Sequence, residues 1–145
     1  MEESVEMIEK NIFRKTNTSL TREDIKMMSP LQLAYVGDAC YELMVRTFLL
    51  DKNLSVNILH KKTTGYVKAK SQSLIVHKLE EILNEQEKDI VRKGRNTKSN
   101  SNPKNANLIE YKYATGFEAL FGYLYLTNQD ERLAEIFNFI IQNED

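Results

Sequence analysis

Two acidic residues, Asp38 and Glu118, each stand inside an otherwise apolar segment with helical spacing. An ionised carboxylate in such surroundings is costly unless it is paired or binds a metal. Two carboxylates brought together from separate helices would repel each other unless a divalent cation lay between them. Mg²⁺ suits that position, because it takes one or two carboxylates and keeps several waters. Small residues beside the acids leave space for an ion or a substrate: Gly37, Ala39 and Ala119.

Ordinary structural roles for these acids are equally compatible with the residues. Asp38 could pair with Arg46 or a lysine, and Glu118 could pair with Lys112 or reach solvent. Glu42, one helical turn after Asp38, is either a partner that supports the metal-binding acid or a surface acid. The residue pattern alone leaves these alternatives open.

The composition indicates a soluble globular protein. The chain has 145 residues, of which 41% are apolar and 28% charged, with a net charge of −1. This length predicts a single domain over residues 1–145. The ordinary shares of apolar and charged residues exclude disordered and fibrous classes. The sequence has no apolar run that could span a bilayer and no secretory signal. Cys40 is alone, which excludes an internal disulfide and favours a reduced, cytoplasmic protein.

The pattern of apolar residues is helical throughout, and five Gly and two Pro are too few for the frequent turns of an all-β fold. We therefore predict an all-α protein. Ser29 followed by Pro30 is typical of a helix start. The predicted helices cover residues 4–15, 21–28, 30–50, 57–70, 71–90, 108–126 and 129–142. Gly94, Pro103 and several Asn predict a loop over residues 92–107.

Positive charge is concentrated in two segments that contain no acid, residues 61–78 and 92–107. Such segments in a nearly neutral protein suggest an anionic partner bound locally, and basic residues on a flexible loop can follow phosphates. Solvated basic surfaces without a partner are the alternative. The basic residues of these segments that could hold phosphates of a nucleic acid are Lys61, Lys62, Lys68, Lys70, Arg92, Lys93, Arg95, Lys98 and Lys104.

The segment Leu-Ala-Tyr-Val-Gly-Asp-Ala-Cys-Tyr-Glu that contains Asp38 resembles the Gly-Asp-Ala signature helix of ribonuclease III domains. It looks closest to the short bacterial form, Mini-ribonuclease III, which lacks a double-stranded-RNA-binding domain. Further stretches agree in order and spacing: residues 59–62 with 66–72, then 92–98, then 103–105 running into 113–123. The match covers residues 27–128.

The resemblance implies an all-helical ribonuclease III endonuclease domain that works as a homodimer on double-stranded RNA. In that family the acids matching Asp38 and Glu118 hold Mg²⁺, with Mn²⁺ as a possible substitute, and activate the water that attacks a phosphodiester. The family's cellular task is maturation of the ends of precursor 23S ribosomal RNA.

The sequence departs from full-length ribonuclease III at two positions. Ala34 replaces a Glu four residues before the signature Asp, and Thr115 replaces an Asp three residues before the second acid. Both departures favour the short form, and Thr115 joins Glu42 as a candidate to support the metal site. A catalytically inactive ribonuclease III-like protein that binds RNA in ribosome assembly is the alternative, with a protein–protein adaptor as a third. Retention of Asp38 and Glu118 argues against the inactive protein.

Overall fold

A computed structural model of the chain describes residues 12–97 and 107–144. Within these residues the regular structure is entirely helical, which confirms the predicted all-α class. A short 3₁₀ turn, Arg14–Thr16, precedes seven α-helices: α1 (Arg22–Met27), α2 (Pro30–Leu49), α3 (Val56–Val67), α4 (Ala69–Leu79), α5 (Glu85–Asn96), α6 (Leu108–Leu126) and α7 (Asp130–Gln142). None of these helices combines the length and the hydropathy that crossing a bilayer requires.

The N-terminal caps explain where the helices begin. Ser29 accepts a hydrogen bond from the Gln32 backbone N–H at 3.2 Å, and the Gln32 side chain accepts one from the Ser29 N–H at 2.9 Å. This reciprocal pair satisfies two N–H groups that the first helical turn leaves free. The start of α2 at Pro30 is thereby confirmed. The predicted bounds of α2, α6 and α7 agree with the structure to within one residue.

Helix α6 lies at the centre of the fold and packs against α2, α4, α5 and α7. Its apolar residues meet Tyr41 of α2, whose ring contacts those of Phe117 and Phe121 edge-on at 4.7 and 5.1 Å between centroids. Aromatic pairs in this geometry stabilise a core beyond their buried area. Helix α7 adds an apolar stripe to the core, with four buried residues: Leu133, Ile136, Phe137 and Ile140.

Helices α2 and α6 approach each other so closely that their backbones touch. A Cβ added at Gly37 would lie 1.7 Å from the Glu118 carbonyl oxygen, and one added at Gly122 would lie 1.9 Å from the Leu33 carbonyl oxygen. No side chain can occupy either position without moving a helix. This contact places Asp38, the residue after Gly37, beside Glu118.

The single helix predicted over residues 71–90 is wrong, because the structure has two helices there. Helix α4 ends at Leu79, and α5 begins after Asn84, which caps it by accepting a hydrogen bond from the Glu87 N–H at 2.8 Å. The apolar spacing continues across the turn between them, so periodicity alone does not reveal the break. The helix predicted over 57–70 similarly ends at Val67, where Lys68 is extended.

The predicted loop over 92–107 is also wrong at its start, since residues 92–96 continue α5. Gly94 does not break this helix; it lets the helix pack on α6, because a Cβ there would lie 2.7 Å from the Gly116 Cα. Residues 98–106 and residues 4–11 of the first predicted helix lie outside the described residues. The single domain over residues 1–145 stays a prediction.

The contact at Gly37 predicts a large loss of stability in Gly37→Ala. We expect the added methyl group to force α2 and α6 apart and to lower the free energy of unfolding by about 3 kcal/mol, the upper end of typical overpacking costs. Gly65→Ala is the matched control, because nothing lies within 4 Å of a Cβ there. Gly65→Ala should raise the free energy of unfolding by up to about 1 kcal/mol, because alanine favours a helix more than glycine does. Denaturant unfolding measures both, and equal values would contradict the close contact.

Candidate active site

The two acids predicted from the sequence meet at one cavity of about 250 Å³. Three of the helices that line it contribute these polar side chains: α2 contributes Asp38, α4 contributes Gln72, and α6 contributes Thr115 and Glu118. The acids come from helices distant in sequence, so only the α2–α6 contact brings them together.

Asp38 and Glu118 differ in their environments. Glu118 is half-buried, whereas Asp38 is exposed at the cavity mouth. The expectation that both acids lie in apolar surroundings is therefore wrong for Asp38. Its side of α2 faces the opening of the cavity and not the core. Burial, the negative charge of Asp38 and a hydrogen bond between the two carboxyl groups raise the pKa of Glu118 to about 8. The amide of Gln72 has the opposite, smaller effect on this pKa.

This donor set suits a hard cation that keeps most of its water. Among the residues that the structure describes, no third His, Cys, Asp or Glu joins the two carboxylates to form a larger metal-binding group. Mg²⁺ binds proteins through one or two carboxylates and retains several waters, and the cavity leaves room for them. A cation between the carboxylates would replace the proton that they share. The residues present therefore fit Mg²⁺.

The alternative roles considered for these acids are not what the structure shows. Arg46 donates to Glu42 at 2.9 Å, one turn away on α2, and does not bind Asp38. Glu118 contacts Asp38 and Gln72. Glu42 is a surface acid in this ion pair, outside the cavity lining. Thr115 does line the cavity, and its hydroxyl donates to the Tyr111 carbonyl oxygen at 3.0 Å.

The predicted RNA contacts divide into two groups in the structure. Four lysines of the first basic segment are exposed and form no ion pair within the described residues: Lys61, Lys62, Lys68 and Lys70. Lys68 and Lys70 flank Ala69, which lines the cavity together with Val67. These two lysines therefore stand at the rim of the site.

The second group is engaged with neighbours on or beside α5. Arg92 and Lys93 both bind Asp89, the lysine at 3.2 Å, and these hydrogen bonds lower the pKa of Asp89. The Arg95 guanidinium lies over the Tyr113 ring, 5.5 Å from its centroid. These three residues are on a helix and not on the expected loop. The remaining two predicted contacts, Lys98 and Lys104, lie outside the described residues.

One residue of the site was missed in the sequence. Gln72 is 1% exposed, and its Nε2 makes no fully formed hydrogen bond. The signal that could have found it is a polar residue on a buried apolar stripe, since Val76 and Leu79 follow at i+4 and i+7 and are both buried.

The comparisons with known proteins agree with this geometry. The family model described as Ribonuclease III domain matches residues 31–129. The chain belongs to the ribonuclease III family. It is 51% identical over 123 residues to Mini-ribonuclease 3 of Clostridium tetani, covering 83% of this chain and 82% of that protein. It is 50% identical over 131 residues to Mini-ribonuclease 3 of a Thermoanaerobacter species, covering 90% and 92%.

A crystal structure of a Fusobacterium nucleatum protein shares the fold, with a TM-score of 0.73 and 37% identity over 83% of this chain and 98% of that one. The resemblance to the short form of the family is thus confirmed. The chain is an endoribonuclease of the ribonuclease III type, the class of nuclease that cleaves double-stranded RNA.

The raised pKa of Glu118 predicts how stability depends on pH when no metal is present. Since the folded-state pKa, about 8, lies above the ordinary value of 4.5, the folded protein binds the extra proton. The free energy of unfolding therefore falls as the pH rises through this interval. Glu118→Gln removes the titrating group. In EDTA, the Tm of the variant should therefore rise relative to the Tm of wild type as the pH increases from 6 to 9. A Tm difference independent of pH would contradict the assignment.

Proposed function

We propose that this endoribonuclease hydrolyses double-stranded RNA with Mg²⁺ held by Asp38 and Glu118. The observation that carries the proposal is the contact between these two carboxyl groups at the mouth of a cavity. A pair of acids that close is unfavourable once both are ionised, and a divalent cation relieves that repulsion. Mn²⁺ has the same preference for oxygen ligands and is the natural substitute.

The roles of the two acids follow from their positions. Glu118, half-buried and flanked by Asp38 and Gln72, provides a fixed ligand at the inner side of the site. Asp38, exposed at the opening, provides a ligand on the side from which a phosphate approaches. When bound, Mg²⁺ lowers the pKa of water and offsets negative charge on the phosphate. Water then supplies the attacking oxygen and one ester P–O bond breaks, so no side-chain nucleophile is needed.

The lysines around the opening provide the RNA-binding surface in this proposal. Lys68 and Lys70 are exposed beside cavity-lining residues, and Lys61 and Lys62 extend the positive charge along α3. The duplex would be recognised mainly by shape, because the deep major groove of A-form RNA excludes side chains. We place the other predicted contacts in the same surface: Arg92, Lys93, Arg95, Lys98 and Lys104.

We propose that the enzyme works as a homodimer. Two large apolar side chains of the cavity lining are exposed, with Leu31 38% and Tyr35 83% accessible. Contiguous apolar surface next to a site is typical of an interface. A second copy would supply the second site needed to cut both strands of a duplex. A mass of 16.9 kDa by sedimentation equilibrium at micromolar concentration would contradict this.

The proposed cellular substrate is precursor 23S ribosomal RNA in the cytoplasm. Its support is the likeness to the proteins named Mini-ribonuclease 3, together with the lone cysteine that favours a reduced compartment. Mapping the ends of 23S RNA in cells that lack the protein tests it, and mature ends there would reject it.

Asp38→Asn should abolish cleavage of a long perfect RNA duplex while duplex binding survives. The substitution removes one charged ligand from an exposed position and leaves the core intact. A gel of wild type and variant, each with Mg²⁺ and with EDTA, should show fragments only for wild type with Mg²⁺. A Tm for Asp38→Asn equal to that of wild type is the control for folding.

Intact RNA in every lane, with a retarded complex, would overturn the proposal and favour the alternative of an RNA-binding protein without nuclease activity. Loss of the thermal transition in Asp38→Asn would show instead that this acid serves the fold.

The double variant Lys68→Ala/Lys70→Ala should bind duplex RNA more weakly and with a shallower salt dependence. Each lysine that no longer neutralises a phosphate reduces the slope of log K against log salt by roughly 0.9, so the expected reduction approaches 2. Lys52→Ala is the matched control. Lys52 lies beyond the end of α2, and that end is roughly 16 Å along the helix axis from Asp38. Equal slopes for the two variants would contradict the rim surface.

A further inference from the structure

We infer that Gln72 is a positioning residue, whose side-chain amide holds the Glu118 carboxylate in the orientation that binds the metal. The inference rests on the function proposed above and extends it to a residue outside the acid pair. Three observations carry it: the burial of Gln72, a donor that makes no fully formed hydrogen bond, and its place beside Glu118 in the cavity lining.

The backbone fixes Gln72 on the inner wall of the site. It lies in the first turn of α4, and its N–H donates to the Lys68 carbonyl oxygen at 3.1 Å. Helix α4 packs against α6, which carries Glu118. With 1% of its surface accessible, the side chain has no route to bulk water. Its amide must therefore find its partners inside the cavity.

The position of the Gln72 donor is the decisive feature. Buried side-chain donors are nearly always hydrogen-bonded, because water no longer satisfies them. Nε2 of Gln72 lies next to the Glu118 carboxyl group, yet it makes no fully formed hydrogen bond. In the metal-free protein that carboxyl group contacts Asp38 as well as Gln72. Once a cation separates the two acids, an oxygen of Glu118 can turn toward Nε2 and complete the hydrogen bond. The donor is thus placed for the metal-loaded state.

The competing explanation is that Gln72 only fills space in the core. An apolar residue of similar shape would do that without burying a polar amide, so Gln72→Met separates the two roles. It keeps the length and volume of the side chain and removes the amide. If Gln72 positions Glu118, the variant folds as wild type does and binds the metal less tightly.

The experiment measures Mn²⁺ binding without RNA, by the electron paramagnetic resonance signal of free Mn²⁺, on the full chain. Loss of a group that orients a metal ligand typically weakens affinity 10- to 100-fold. We expect a loss of about tenfold in Gln72→Met. Thr63→Val is the matched control: Thr63 is buried, bonds to the Leu59 carbonyl oxygen on α3, and does not line the cavity. It should bind Mn²⁺ with wild-type affinity.

A second variant covers the case in which Gln72→Met does not fold. Gln72→Asn keeps a buried amide but draws it back from Glu118 by one methylene, and it should lose affinity in the same direction. Wild-type Mn²⁺ affinity in either folded variant overturns the inference. An equal loss in Thr63→Val would also overturn it, since the effect would then come from general loosening of the fold.

Glu118→Gln in the same titration separates this inference from the proposed function. If Glu118→Gln binds Mn²⁺ as tightly as wild type, the metal site itself is wrong. If Glu118→Gln loses binding while Gln72→Met retains it, the metal site stands and only the role of Gln72 is rejected.

Discussion

The site depends on one contact, the meeting of the α2 and α6 backbones at Gly37 and Gly122. Neither position has room for a side chain, and this fixes which residues of the two helices face each other. Asp38 and Glu118 come together as a consequence, close enough to share a hydrogen bond, and the pKa of Glu118 rises. The stability of the core and the chemistry of the site are therefore coupled: the packing that stabilises the fold also creates the charge repulsion that a divalent cation would relieve.

The rest of the structure holds α6 in place around that contact. The rings of Tyr41, Phe117 and Phe121 fill the space beside it, and Gly94 lets α5 reach the α6 backbone at Gly116. An ion pair also links α7 to α5. Arg132 of α7 donates to Glu87 of α5 at 2.8 and 2.9 Å, and to the Ile82 carbonyl oxygen at 2.7 Å. The exposed Tyr35 lines the cavity, and the rim lysines Lys68 and Lys70 stand beside it, which suits a site that must admit a large substrate.

Local signals account for the parts of the fold that the sequence predicted well. Helices α2, α6 and α7 have strong apolar stripes, and α2 has the Ser29 cap, so their bounds could be placed to within one residue. The break between α4 and α5 was not predicted, because the apolar spacing continues across the turn. The helical state of residues 92–96 was not predicted, because Gly94 serves a tertiary contact and does not break the helix. The acid pair was found from its apolar setting and from the family resemblance. Three features depend on the folded structure and are not encoded in the spacing of apolar residues. They are the exposure of Asp38, the binding of Arg92 and Lys93 by Asp89, and the position of Gln72.

The most direct test of the account is an anomalous difference map from a crystal of the protein soaked in Mn²⁺. We predict one peak between the Asp38 and Glu118 carboxylates, within about 2.2 Å of an oxygen of each, with waters completing the coordination. The two carboxyl groups should no longer be bonded to each other. A crystal at saturating Mn²⁺ that shows no peak there, with the hydrogen bond between the acids intact, would contradict the central claim.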